Sequence, residues 1–162
     1  VNNAGVNSRT PFADLSLEEW ERVLRTNLTG AFCTCKCVVP HMLRQRSGCI
    51  INLSSSAGKT AHPNATLPYG VSKAGINSLT QKLAWDLAPF GIRVNAICPG
   101  PIETDMTRQW TPEYREEVLK SIPVRRLGCG ADVANVAVFL ASDMSTFIVG
   151  ESINVNGGKY MN

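Results

Sequence analysis

Apolar residues recur along this chain with two periods, and their alternation predicts helices layered on parallel strands. Trp20, Val23, Leu24, Leu28, Ala31, Cys35, Val38 and Met42 fall at helical spacing. Ser16-Leu17-Glu18-Glu19 precedes them as a capping box, with Ser16 as N-cap and Glu19 at N3. A helix is therefore predicted from this box to about Arg46, with Pro40 marking a kink. Cys49–Leu53 is a short continuous apolar run, suited to a parallel strand buried on both faces. Residues 59–68 form a loop, and Pro68 is tolerated in the first turn of the next helix. That helix runs from about Tyr69 to Ala88, with Ala74, Ile76, Leu79, Leu83 and Leu87 as its broad apolar face. Gly91 stops it, and Ile92–Ile97 forms the next strand. Residues 105–127 are the least determined, with a helix at Glu113–Ser121 between Pro112 and Pro123. A last helix near Asp132–Ala141 precedes the strand Ser152–Val155. This order argues for one α/β layer structure.

Composition narrows the class. Forty-four per cent apolar and 18% charged residues suit one globular domain over residues 1–162, not a disordered chain. No stretch approaches the roughly 20 apolar residues of a membrane span. The net charge of +3 is mild. Arg44, Arg46, Arg125 and Arg126 form small clusters without aromatic interleaving, the pattern of solvated surface and not of a nucleic-acid footprint. Six cysteines invite a metal or disulfide reading. Cys33 and Cys37 share a helix face and Cys35 does not. No Cys-x-x-Cys pair occurs, and neither His41 nor His62 stands at zinc spacing to them. Cys49 and Cys98 fall in predicted strands, where buried thiols behave as small apolar groups. Reduced cysteines, no metal and a cytoplasmic location are the expectation.

The candidate chemistry lies in Tyr69-Gly-Val-Ser-Lys73, downstream of Ile50-Ile51-Asn52-Leu53-Ser54-Ser55. Residues i and i+4 of a helix share a face, about 5–6 Å apart at Cβ. Lys73 can thus hold its ammonium beside the Tyr69 hydroxyl and favour the phenolate. Free tyrosine titrates at about 10, so proton transfer near neutrality needs positive charge of this kind. Ser54, Ser55 and Ser56 follow the predicted strand at its carboxyl end, where open α/β sheets bind ligands. Asn27 falls on the apolar face of the first helix. A buried amide without partners costs about 1–3 kcal/mol, so Asn27 is expected to satisfy a bent helix.

Taken together and in order, these motifs resemble the short-chain dehydrogenase/reductase family. Asn2-Asn3-Ala4-Gly5 is similar to the family's turn after its fourth strand, which places a strand near residues 1–2. Asn27 within Arg25-Thr26-Asn27-Leu28-Thr29-Gly30, Pro99-Gly100-Pro101-Ile102-Glu103-Thr104 and Val155-Asn156-Gly157-Gly158 match further motifs. The resemblance implies a Rossmann-like, doubly wound parallel sheet, truncated at its N-terminal half, and an NAD or NADP cofactor, NADP favoured. It implies catalytic roles for Asn27, Ser55, Tyr69 and Lys73. Tyr69 exchanges a proton with the substrate oxygen, Ser55 holds that oxygen, and Lys73 lowers the tyrosine pKa and binds the nicotinamide ribose. Asn27 holds a kink whose freed carbonyl binds a water serving Lys73. Of the three serines, the family's Ser-Ser-x-x-Gly pattern favours Ser55. Asn3, Ala4, Gly5, Pro99, Gly100, Ile102 and Thr104 are expected against the cofactor, with Tyr69 and Lys73. The alternative for Gly5 is a plain turn glycine.

No Gly-rich pyrophosphate loop occurs in these residues, and we expect them to be the C-terminal portion of a parent longer by roughly 80–90 residues. On that expectation the portion by itself is inactive and poorly soluble. The parent is expected to transfer hydride between nicotinamide and a carbonyl or secondary alcohol. The run Ile102-Glu103-Thr104-Asp105-Met106-Thr107-Arg108, the Arg126-Leu127-Gly128 turn and the ending Asn156-Gly157-Gly158-Lys159-Tyr160-Met161 look like bacterial-type 3-oxoacyl-acyl-carrier-protein reductases. Those enzymes dock their acidic carrier on two arginines; one matches Arg46, and the other falls at Phe90. That departure keeps a sugar, polyol or generic ketone substrate open. A homo-oligomer, tetramer or dimer, pairing through the helices at about 17–46 and 69–88 is implied. An alternative of another class is a non-catalytic subunit-binding partner.

Overall fold

The computed structural model describes residues 1–61, 65–105 and 107–161. Three parallel strands form the sheet in the order β1-β2-β3: β1 Gly48–Leu53, β2 Ile92–Pro99 and β3 Ser152–Val155. Gly48 pairs with Ile92 and Leu53 with Ile97, while Ala96 pairs with Ser152 and Pro99 with Val155. The strand expected near residues 1–2 is a single bridge. Asn2 donates its backbone N–H to the Ile51 carbonyl at 2.8 Å and accepts from Leu53 N–H at 2.9 Å. Parallel neighbours need long crossovers, and helix α3 (Leu67–Leu87) supplies the one from β1 to β2.

Successive side chains on a strand point to opposite faces, and β1 uses both. Ile50 packs with Cys35, Ala84, Leu87, Ile92 and Val94, the core shared with α2 (Gly30–Gln45) and α3. Ile51 joins Ile97 and Leu140 on the other face, beneath α5 (Gly130–Ala141). Helices therefore cover both faces of a parallel sheet, the expected α/β layering. A smaller cluster of Val118, Ile122 and Leu127 forms around α4 (Pro112–Lys120) in the segment that sequence left least determined. Among the described residues, no helix is long and apolar enough to cross a membrane.

The first long helix departs from expectation in an informative way. Ser16 caps α1 (Leu17–Leu24), its hydroxyl accepting from Glu19 N–H at 3.2 Å, but the Glu19 carboxylate accepts from Thr10 Oγ1 at 2.7 Å, so the box is formed on the serine side alone. The helix then widens into one π turn over Arg25–Thr29 before resuming as α2, which continues through Pro40. The irregularity thus sits at Asn27, upstream of the proline. Such single π turns frequently mark functional sites. At the far end Arg46 adopts the left-handed conformation, φ 52°, and caps α2. Helix α3 starts two residues before Tyr69, with Pro68 in its first turn, and Gly91 ends the short 3₁₀ extension at φ 74°.

Candidate active site

Strand β1 ends at Leu53, and the chain turns at once through Ser54 and Ser55 into a 3₁₀ turn over Ser56–Gly58. Ser55 caps that turn, its Oγ accepting from Ala57 N–H at 3.1 Å. With the oxygen so held, Ser55 still has its own proton to give, and it stands near enough to the Tyr69 phenol to draw that group's pKa down. Ser54, the rival serine, is buried and donates to the Lys73 carbonyl at 2.9 Å. Its hydroxyl ties the loop to α3. Gly58 makes that junction possible: a Cβ there would lie 2.6 Å from the Lys73 carbonyl carbon and 2.8 Å from Ala74 N. Only a residue without Cβ lets the turn lie this close to helix backbone.

Tyr69 and Lys73 project from the first turns of α3. The lysine is 4% exposed, its Nζ donates to the Leu53 carbonyl at 2.6 Å, and it stands 5.6 Å from the Tyr69 ring centroid. Burial pushes the Lys73 ammonium down to about 8, opposed by attraction to the Cys98 sulfur. The half-buried Tyr69 is pushed above its ordinary value of 10 by desolvation, and the nearby Ser55 hydroxyl pulls the other way. The expected lowering of the tyrosine by Lys73 is therefore not what these residues produce by themselves. The ammonium spends its contact on a backbone carbonyl, and its charge lies over the ring.

Asn27 lies behind the cleft, 2% exposed, in the π turn. Its Oδ1 accepts from Val6 N–H at 2.7 Å, and its Nδ2 donates to the Val6 carbonyl at 2.9 Å and to Ser72 Oγ at 3.0 Å. Ser72 in turn donates to the Tyr69 carbonyl at 2.7 Å. The amide is fully used in holding the N-terminal loop against α3, one residue before Lys73.

A cleft of about 420 Å³ opens where these groups meet, at the carboxyl ends of β1 and β2. Asn3, Gly5, Ser55, Tyr69, Lys73, Pro99, Gly100, Ile102 and Thr104 all line it. Ala4 is exposed and does not, and Asn27 supports the wall from outside. Gly5 has no positive φ, so a left-handed turn is not its purpose. A Cβ there would stand 3.4 Å from Lys73 Nζ.

Comparison with known proteins gives the family. The profile of the family described as enoyl-(acyl carrier protein) reductase matches residues 1–159. The 3-oxoacyl-[acyl-carrier-protein] reductase of Staphylococcus epidermidis is 44% identical over 161 residues, which are 99% of this chain and 66% of that protein. The chain belongs to the short-chain dehydrogenase/reductase family. A solved 3-oxoacyl-[acyl-carrier protein] reductase from Brucella melitensis with bound NAD superposes with a TM-score of 0.93 at 40% identity, covering 99% of this chain and 61% of that one. A putative gluconate dehydrogenase from Agrobacterium tumefaciens gives 0.94 at 36%, covering 98% and 63%. The chain thus spans slightly less than two thirds of the length of these members of the short-chain dehydrogenase/reductase family.

Several cleft residues escaped the sequence. Val6 and Asn7 follow the Asn-Asn-Ala-Gly turn, and Trp110, Val118 and Lys159 come from segments outside the Tyr-x-x-x-Lys region. Thr107 carried a signal, since it stands three residues after Thr104 and accepts from that residue's N–H at 2.8 Å. Lys159 carried another: a cation directly after the Gly157-Gly158 pair. Among the described residues, no group of three or more His, Cys, Asp or Glu side chains is placed to hold a metal.

Proposed function

We propose that the whole protein is an NAD(P)-dependent oxidoreductase that interconverts a carbonyl compound and a secondary alcohol. The convergence of Tyr69, Ser55 and Lys73 on one cleft, with the serine near enough to the phenol to perturb its pKa, carries this reading. The wall from Pro99 to Thr104, with Asn3 and Gly5, fits the nicotinamide side of a dinucleotide. In particular, Gly5 leaves the Lys73 ammonium reachable from the cleft, where ribose hydroxyls can accept from it. When bound, the nicotinamide supplies or takes the hydride.

Tyr69 gives its hydroxyl proton to the carbonyl oxygen, and its raised pKa keeps that proton in place at neutral pH, the state reduction requires. Ser55 gives its proton to the substrate oxygen in a hydrogen bond, with its own oxygen held by Ala57 N–H. Lys73 supplies positive charge beside the phenolate left behind, a charge its burial makes more effective. Acid–base help of this kind is worth about 10²–10⁴ in rate. Asn27 acts through structure, fixing Val6 and α3, and the water relay implied by family resemblance is left as a proposal.

The first substrate reading is a 3-oxoacyl group on acyl carrier protein, supported by the names of the relatives. A second reading, a small free carbonyl or polyol, has a specific observation behind it. Arg46 lies with its guanidinium 5.9 Å from the Phe90 ring centroid, so the position where a second docking arginine is expected holds an apolar ring. The putative gluconate dehydrogenase is a neighbour of that second kind. Self-association through α1, α2 and α3 is supported by Phe32 and Trp85, 48% and 82% exposed. We place the protein in the cytoplasm, with NADP tried first and NAD second. The decisive experiment follows NADPH and NADH oxidation by the whole protein with ethyl acetoacetate and a 3-oxoacyl thioester. Tyr69→Phe should lower kcat at least about 100-fold without lowering Tm; turnover at the wild-type rate would remove the proton-donor role.

A further inference from the structure

Two lysines line the cleft, and the protein engages the ammonium of only one. Lys73 donates to the Leu53 carbonyl. Lys159 is half-buried, and among the described residues its ammonium has neither an ion pair nor a hydrogen-bond acceptor. Burial alone pushes it below the ordinary lysine value, with no opposing charge to restore it. A cation partly desolvated and left unpaired carries a cost, and an anion entering the cleft would reduce it.

The turn that delivers Lys159 is built, not loose. Gly157 and Gly158 adopt φ of 64° and 85°. Asn156 clamps both sides, its Oδ1 accepting from Gly158 N–H at 2.9 Å and its Nδ2 donating to the Tyr160 carbonyl at 2.8 Å. A Cβ at Gly157 would meet Val124 at 2.6 Å and Ile122 at 2.8 Å, so the turn is seated on the segment that follows α4. That same region gives the cleft its apolar wall of Trp110 and Val118. Tyr114 fixes the indole edge-on, with ring centroids 5.1 Å apart. One cleft thus holds a proton donor, an apolar wall and an unsatisfied cation, in a volume suited to a small molecule.

We infer that the natural substrate is a small oxo acid, or the hydroxy acid formed from it, whose carboxylate Lys159 binds while its carbonyl lies at Tyr69 and Ser55. This rests on the carbonyl-reduction reading and narrows its substrate. The reaction balances as a two-electron reduction. A bound reduced nicotinamide would supply the hydride to the carbonyl carbon; Tyr69 transfers its proton to the oxygen and regains one from solvent, and the hydroxy acid is released. The carboxylate is unchanged, so Lys159 is a specificity residue, and its charge-assisted hydrogen bond acts on substrate binding.

The test uses the whole protein with a matched pair of probes, acetoacetate and its neutral ethyl ester, and the variants Lys159→Met, Lys159→Arg and Tyr69→Phe. Lys159→Met should raise KM for acetoacetate about tenfold or more and change KM for the ester and for the nicotinamide cofactor by less than about twofold. Lys159→Arg should keep most of the affinity for the acid. Equal losses on acid and ester, a rise confined to the cofactor, or no change with acetoacetate would each overturn the inference. A carrier-borne neutral thioester turned over independently of Lys159, with acetoacetate unaffected by the substitution, would point to the acyl-carrier reading instead. Ester turnover that depends on Tyr69 but not on Lys159 defeats only this inference. No turnover of either probe by the wild-type protein defeats the carbonyl-reduction reading, and the substrate class with it.

Discussion

Lys73 bears the largest electrostatic cost among the groups at the site. Its ammonium is almost wholly removed from water, with one backbone carbonyl as its close partner. The folded-state value of about 8 lies below the ordinary 10.5. Between those pH values the unfolded chain binds more protons than the folded one, so stability rises with pH across the interval. Below pH 8 both states are protonated and the penalty is complete. Replacing a buried ion pair with apolar side chains of similar volume is often neutral or stabilising by about 1–4 kcal/mol, and a lone desolvated ammonium carries the desolvation cost without the pair's attraction. We therefore predict that Lys73→Met is more stable than wild type by on the order of 1–3 kcal/mol at pH 7. The gap should narrow as pH rises from 8 towards 10. Urea unfolding of both proteins at each pH measures it, and a pH-independent gap would show that the ammonium is not desolvated. The same substitution should abolish turnover, because the charge that destabilises the fold is the one that supports the phenolate.

The elements that carry the site were legible to different degrees, for physical reasons. The helix containing Tyr69 and Lys73 shows a broad apolar face between a first-turn proline and Gly91, and the structure moves its start by two residues. Strands β1 and β2 announce themselves as apolar runs because both faces are buried. The π turn was invisible, since nothing in apolar periodicity separates a widened turn from a regular one; only Asn27 on the buried face hinted at it. Helix α4 was bracketed by its prolines, but the packing of Val118 and Trp110 into the cleft wall depends on tertiary contacts no local pattern encodes. Two predictions belong to these junctions. Asn27→Ala removes three hydrogen bonds and leaves the part-buried Val6 N–H and carbonyl without their amide partner, so it should destabilise by about 1–3 kcal/mol in urea unfolding. A change below about 0.5 kcal/mol would show that water replaces the amide without cost. Gly58→Ala places a methyl group against the Lys73 backbone and must push Ser55 away from Tyr69. Turnover should fall more than about tenfold, while KM for the cofactor changes less.

At the scale of the molecule, the sheet and its helices sort the six cysteines into two groups, and this gives a test of the architecture that is independent of catalysis. Cys33, Cys37 and Cys129 are exposed, whereas Cys35 and Cys98 are buried and Cys49 is intermediate. Cys35 packs between α2 and the sheet with Ile50 and Val94. Cys98 lies in β2 beneath the Ser54–Ser55 turn, its thiol donating to Asn77 Oδ1 at 3.6 Å. Burial raises the pKa of both thiols, which removes the thiolate a disulfide reagent needs. All six are free, so the unfolded chain should yield one reactive equivalent from each. In the native state, Cys129 should react with a bulky aromatic disulfide within minutes, Cys33 and Cys37 at a rate set by self-association through α2, and Cys98 only on the timescale of opening of the β-sheet core. None of the three exposed cysteines lines the cleft, so their modification should leave turnover by the whole protein intact. Peptide mapping after brief labelling distinguishes the groups. Early labelling of Cys98 would mean that β2 is not the closed central strand seen here. Loss of turnover from labelling Cys129 alone would place the active cleft against the N-terminus of α5, contrary to the site built on Tyr69 and Ser55.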